Sequence, residues 1–387
     1  MKHLFLAIGL LITATTFGQK DVVSAYNAKE DGNLRAAATY IEQAILVVST
    51  YKAKQQEKTW RYRGEIYLKI ASDTSVYAEF PNALHLAMES LIKAKDLDTK
   101  KRYQDESNIL LAEVQRLAGN KGISSYNQNE FEIAGEFFDL AIDIAKSFDI
   151  IDSVFIHYSA LSYKNVGLND KAIERFKKCA EIQYALPYCY LDISRIYESN
   201  GDMSNAIAIL REARDKHPDE ISYIEEEYNI HIKNNDEESA LACIVDATLK
   251  NPTNYEYIVL SGNLYQMLGY SEEAKNAFST ALALDSISFG ANFGLGIIYN
   301  NEAALDQEKF NSFPLKLNSS QRKERSELKI RIDENIKMAI LYFESAYKVN
   351  PTDFETVRIL KDLYAKTMQD DKYLEFKAVF DSLKTSN

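Results

Sequence analysis

The chain has 387 residues, 46% of them hydrophobic and 26% charged, with a formal net charge of −12. Such a composition builds a packed core rather than a disordered tail, and the acidic balance argues against a general nucleic-acid surface. Only 6 prolines and 14 glycines interrupt it. With no run that alternates Val, Ile and Thr, helix is favoured throughout.

In chain order, residues 1–18 stand apart. Lys2 and His3 precede an apolar run from Leu4 to Phe17, and Thr16-Phe17-Gly18 offers small residues for cleavage. This reads as a secretory signal peptide cut after Gly18, too short to span a bilayer comfortably. No cysteine follows it to carry a lipid anchor, so a periplasmic or secreted protein is expected. No later segment is long and apolar enough to cross a membrane.

From 19 to 150 the pattern is helical but irregular. Ala37, Ile41 and Ala44 share one helix face, as do Trp60, Gly64 and Tyr67, then Ala87, Leu91 and Ala94, and then, twelve residues after Gly122, Ala134, Phe138 and Ala141. The stretches "ASDTSVYAEFP" and "TKKRYQDES" (99–107) interrupt them as insertions.

From 151 to 299 the period becomes strict. Ala172, Ala206, Ala240 and Ala274 lie 34 residues apart. Each is followed four residues on by Phe176, Leu210, Ile244 or Phe278, and three beyond that by Cys179, Ala213, Ala247 or Ala281. Twelve residues earlier stand Ala160, Ser194, Tyr228 and Gly262, and nine earlier Tyr163, Tyr197, His231 and Tyr265. Spacings of three and four put the small and bulky residues on one face of a second helix. The small residues on both helices allow an antiparallel partner to approach closely, with the tyrosine between. Gly167, Gly201, Asn235 and Gly269 fall midway and predict left-handed caps, and Pro218 and Pro252 stop second helices. One such hairpin cannot bury both faces, so it must stack on the next.

The last region, 300–387, contains a long insertion. Gly296 and Tyr299 occupy the small and tyrosine places of a first helix, but the matching Ala339 comes 43 residues after Gly296. "NNEAALDQEKFNSFPLKLN" extends the first helix through Ala303 and Ala304 toward Phe310 and breaks at Pro314. Ser319 or Ser320 is expected to cap the second helix. Leu328, Ile332, Ile336, Ala339, Phe343 and Ala346 form one stripe that predicts an unbroken helix over 320–349, ended by Pro351. A stripe of that length must bury against the lengthened first helix or another chain. A final unit starts near Phe354, with Tyr364 in the tyrosine place but Lys361 and Tyr373 where small residues belong.

On these residues the chain resembles the tetratricopeptide repeat family, whose pattern of Trp, Leu, Gly, Tyr, Ala, Phe, Ala and Pro recurs over 34 residues. About nine units are counted, which predicts an all-α solenoid of stacked antiparallel hairpins. "FGANFGLGIIYN" (289–300), with Gly290, Gly294 and Gly296, then reads as helix packing. No strand precedes it and no Lys-Ser or Lys-Thr follows, so a phosphate loop lacks its context.

No catalytic constellation emerges. The five histidines show no metal-ligand spacing, no Gly-x-Ser-x-Gly elbow occurs, and "EEE" at 225–227 reads as a solvated helix face. The three cysteines, Cys179, Cys189 and Cys243, read as small buried residues, with a Cys179–Cys189 bridge conceivable after export. We therefore expect no enzyme, no cofactor and no metal.

The resemblance implies a superhelix whose concave face, lined by first helices, binds a protein or peptide. The matching positions are His157, Leu161 and Lys164; Tyr188, Leu191, Arg195 and Glu198; Glu225, Asn229 and Ile232; Glu256, Val259, Asn263 and Gln266; and Gly290, Phe293, Ile297 and Asn300. Relatives that clamp C-terminal carboxylates use Lys and Arg with Asn. Asn229 and Asn263 match the Asn place, but Glu225 and Val259 stand where Lys belongs. The expected role is an exported scaffold for a protein or peptide, similar to exported bacterial members of the family. The alternative is a carrier or helper in periplasmic carbohydrate uptake or envelope assembly.

Overall fold

The structure, a computed structural model, describes residues 19–386, so the proposed signal peptide lies outside the described residues. Among the described residues there is no strand, and the fold is all-α. By their internal contacts the described residues divide into two compact units, one up to Asn200 and one from Gly201 on.

The first unit holds α1 (19–30), α2 (Leu34–Leu46), α3 (Ala53–Ser72), the short α4 (Thr74–Tyr77) and α5 (Ala83–Leu97). It continues with α6 (Gln104–Asn127), α7 (Phe131–Lys146), α8 (Ser153–Asn165), α9 (Asn169–Glu181) and α10 (Tyr188–Ser199). Successive helices pack as hairpins, α3 on α5, α6 on α7 and α8 on α9, and each hairpin packs on the next. The insertion after Gly64 is mostly helix: α3 runs on to Ser72, and Asp73 caps α4 by accepting from the Ser75 amide at 2.9 Å. Residues 104–107, expected to be irregular, are already the first turn of α6, where Asp105 and Glu106 favour the helix start.

The second unit holds α11 (Met203–Lys216), α12 (Ser222–Lys233), α13 (Glu237–Lys250), α14 (Tyr255–Met267) and α15 (Ser271–Leu284). It ends with α16 (Phe289–Asn311), α17 (Ser319–Val349), α18 (Phe354–Lys366) and α19 (Asp370–Ser386). Again consecutive helices pair, α12 with α13, α14 with α15, α16 with α17 and α18 with α19.

The predicted core lane is present in full. Ala172, Ala206, Ala240, Ala274 and the bulky Phe176, Leu210, Ile244 and Phe278 are buried, as are Cys179, Ala213, Ala247 and Ala281. Gly167, Gly201, Asn235 and Gly269 all adopt positive φ, between 54° and 82°. Each second helix begins at a side-chain cap where the sequence supplies one: Asp202 for α11 and Asp236 for α13.

α17 runs unbroken for 31 residues and pairs with the 23-residue α16, which stops before Pro314. The stripe of Leu328, Ile332 and Ile336 is buried, and the last two join one core cluster with Ala303 of α16 and the partly buried Phe310. The cap is Asn318, one residue before Ser319 and two before Ser320, the two serines expected. Its side chain accepts from the Gln321 amide at 2.9 Å, while the Gln321 side chain accepts from the Asn318 amide at 3.0 Å. That reciprocal capping box satisfies two otherwise open donors, which a serine start at 319 would not.

The glycines of "FGANFGLGIIYN" are contact points. The Phe278 ring of α15 lies between Gly262 of α14 and Gly294 of α16, and Gly296 faces the Phe343 ring of α17. Helices cross closely there because no side chain intervenes.

Candidate functional site

Within the first unit, His157, Leu161 and Lys164 lie on α8 and are half-buried. His157 is set among rings, its centroid 5.7 Å from Tyr184 and 6.2 Å from Phe176. Burial holds its pKa below the ordinary value, against the smaller upward pull of Asp192. Lys164 donates to Asp192 at 2.7 Å and so ties α8 to α10. On α10, Tyr188 is exposed at 63%, whereas Leu191 is buried and lies beneath the surface it was expected to line. Arg195 is exposed and Glu198 half-buried.

Within the second unit, α12 and α14 present Asn229, Glu256 and Asn263 exposed, with Gln266 half-buried. Glu225 accepts from the Tyr257 hydroxyl at 2.6 Å, a bridge between α12 and α14. That carboxylate also raises the Tyr257 pKa to about 12, second to burial. Val259 packs against Gly290, filling the space left by the missing side chain. Phe293 stacks on Phe289 and meets Phe343 edge-on at 5.6 Å, as a partly buried member of the core. The first-helix face thus mixes residues that hold neighbouring helices together with a smaller exposed set, chiefly Tyr188 and Arg195 in one unit and Asn229, Glu256 and Asn263 in the other.

Two features escaped the sequence reading. In the first unit, Glu57, Arg61 and Arg63 of α3 are buried, and the two arginines reach out to the more exposed carboxylates of Glu106 and Glu42. Arg61 donates to Glu57 and to Glu106, each at 2.8 Å, and Arg63 donates to Glu42 at 2.7 Å and to Ser90 at 2.9 Å. Nearby, Lys29 donates to Glu65 at 2.5 Å beside an open hollow of about 920 Å³. The four-residue spacing of Glu57, Arg61 and Glu65 was the available signal. In the second unit, Glu227 and His231 of α12 meet Cys243 of α13, with one ligand-type atom from each lying within 4.8 Å of the others. Glu227 accepts from Arg211 at 2.8 Å and Arg214 at 2.6 Å. Burial, with Glu227 second, pushes the Cys243 thiol up to about 12. Sequence spacing showed no such motif because the third residue comes from the neighbouring helix.

All three cysteines are buried free thiols. No helix among the described residues is long and apolar enough to cross a membrane.

These hairpins define a helical-repeat protein. A tetratricopeptide repeat family model matches residues 187–213 and 255–287, so the chain carries tetratricopeptide repeats. No curated protein matches it in sequence. Similar solved structures include MamA, at 15% identity and a TM-score of 0.38, with 51% of this chain and 97% of that chain covered. A TPR repeats protein from Bacteroides fragilis gives 19% identity and a TM-score of 0.34, covering 65% and 98%. A monomeric mutant of IFIT1 with m7Gppp-AAAA gives 17% and 0.37, covering 83% and 68%.

Proposed function

We propose that the protein is an exported, non-enzymatic scaffold that holds a segment of another protein on its first helices. The observation that carries this reading is the repeated exposure of an amide. Asn229 on α12 and Asn263 on α14 stand one repeat apart, both exposed, on helices whose other residues are mostly buried or half-buried. An amide side chain offers both donors and an acceptor to a peptide backbone. Flanked by Glu225 and Glu256, and lacking lysine at 225 and 259, this face suits an internal, neutral or basic segment better than a terminal carboxylate. Export rests on residues 1–18 and periplasmic location on the same segment.

The test places a photo-crosslinking residue at position 263 and, separately, at the exposed position 272 on α15. One defined protein adduct from 263 and none from 272 supports the scaffold. Equal labelling from both positions removes the case for a first-helix site. Oligosaccharide captured without protein turns the reading to a carbohydrate carrier. Mature protein that begins at Gln19 supports export, and mature protein that retains Lys2 refutes the cleavage.

A further inference from the structure

We propose that the α12–α13 hairpin binds a divalent cation of the zinc class through Glu227, His231 and Cys243. The inference is independent of the scaffold reading and concerns the interior of one repeat.

Glu227 and His231 are one turn apart on α12, so their side chains share a face. Cys243 meets them from α13. Carboxylate, imidazole and thiolate together are a donor set that suits zinc rather than magnesium or calcium, which want oxygen alone. Bonds of about 2.0–2.3 Å around a tetrahedral ion set ligand atoms about 3.3–3.7 Å apart. The His231 Nε2 to Glu227 Oε1 separation is 3.8 Å, and the whole triad fits within 4.8 Å. Small side-chain rotations close the remainder.

A second observation points to a ligand. All three residues are at least nine-tenths buried, yet Nε2 of His231, aimed at this cluster, makes no hydrogen bond. A buried polar atom left so is costly and calls for an explanation. The other ring nitrogen, Nδ1, lies 3.1 Å from Asp236 Oδ2. A carboxylate behind the imidazole is the usual device that orients a histidine and leaves its far nitrogen free for a metal. Asp236 is itself fixed, because Oδ1 caps α13 by accepting from the Ser239 amide at 3.1 Å.

The repeat supplies an internal control. One period before and after, Glu227 is replaced by Ile193 and Ser261, His231 by Tyr197 and Tyr265, and Cys243 by Ile209 and Ala277. Three positions that ordinary packing fills with apolar, small or aromatic residues become ligand types together, in one hairpin. Core filling explains any one of them but gives no reason for their coincidence.

Arg211 and Arg214 hold Glu227 from α11, and Arg214 also reaches Asp246. They do not close the site, because each carboxylate oxygen has a second lone pair. Glu227, Asp236 and Asp246 outweigh Arg211 and Arg214 by one negative charge, and the Cys243 thiolate supplies a second, so a doubly charged ion enters without surplus charge. Binding releases the thiol proton to solvent, and water completes the fourth position.

The experiment uses the reduced, chelator-stripped full chain titrated with cobalt(II), then zinc(II). We expect one equivalent of cobalt, a thiolate-to-cobalt charge-transfer band with intense tetrahedral visible bands, and their loss when zinc is added. C243A should lose the charge-transfer band while keeping its thermal midpoint in chelator, since a neighbouring repeat has Ala277 there. D236N keeps the helix cap, because Asn caps as well as Asp, yet should weaken cobalt about 10–100-fold. Zinc should raise the midpoint of the wild type and not of C243A. Absence of tetrahedral cobalt spectra in the wild type, or unchanged spectra in C243A, overturns the proposal. If C243A does not fold, H231Q replaces it, judged by the same loss of bands.

Discussion

Replacing Gly294 with alanine should destabilise the second unit, although alanine is the better helix former. Gly294 is buried within α16, where the exchange gains about 1 kcal/mol of helix propensity. The new Cβ would meet the Phe278 ring, and that ring cannot retreat, because on its other side a Cβ at Gly262 would stand only 2.6 Å away. Overpacking of this kind costs typically 1–3 kcal/mol, so the net loss should be about 1 kcal/mol. In an F278L background the obstacle is smaller, and G294A should become neutral or stabilising. The inversion is a coupling of about 0.5–3 kcal/mol between touching residues. A stacked array can open in parts, so the assay is hydrogen exchange of the amides of α15 and α16 rather than a global midpoint. G294A that slows exchange beside an intact Phe278 would refute the ring's placement between two glycines, and with it the packing role of "FGANFGLGIIYN".

The same geometry sets other outcomes. Ala206→Leu and Ala240→Leu should each cost about 1–3 kcal/mol by overpacking, read as a lower urea midpoint at constant slope; no change would break the 34-residue register. In the long hairpin, Ile332→Ala should cost about 2–5 kcal/mol, whereas Arg331→Ala, which loses an exposed pair with Asp306, should cost at most about 1 kcal/mol. The reverse order would mean that charge rather than the apolar stripe joins α16 to α17. Burial depresses the His157 pKa below 6.5, so the unfolded chain binds its proton first as pH falls. His157 should therefore lower stability as pH drops through 6.5 toward the folded value, and H157Q should flatten that part of the urea-midpoint profile. A wild-type profile parallel to that of H157Q refutes the burial effect.

The repeat was legible because its signals are local. Alanine, a bulky residue and alanine at steps of four and three define a buried stripe whatever lies opposite, and Gly167 or Asn235 announces a left-handed cap through its own backbone freedom. Met368 takes the corresponding cap conformation at φ 57° without being a residue type that advertises it, so the end of α18 could not be read that way. What the tyrosines do was also hidden. Tyr67 donates to Glu42, Tyr163 to Asp139 and Tyr364 to Glu344, at 2.9, 2.8 and 2.5 Å, in each case to the second helix of the preceding hairpin. That partner lies 20 to 25 residues back and is fixed only by how one hairpin seats on the next.

The same dependence explains why the site was harder to see than the fold. Counting back from each tyrosine finds the first-helix face, but it cannot tell Asn263, which stays exposed, from Phe293, which turns into the core beside Phe343. Nor can it foresee His231. In the tyrosine place of its repeat, this side chain has no hydroxyl to donate to the previous hairpin, and α11 offers Arg211 and Arg214 where α7 offers Asp139 to Tyr163. Instead, Glu227 of its own helix stands near His231 and Asp236 is at its back. A repeat constrains its shared positions so strongly that function has room mainly where a unit breaks the pattern and the neighbours change with it. By that criterion the informative residues are the coordinated departures, and the group around His231 is the one in which three of them meet.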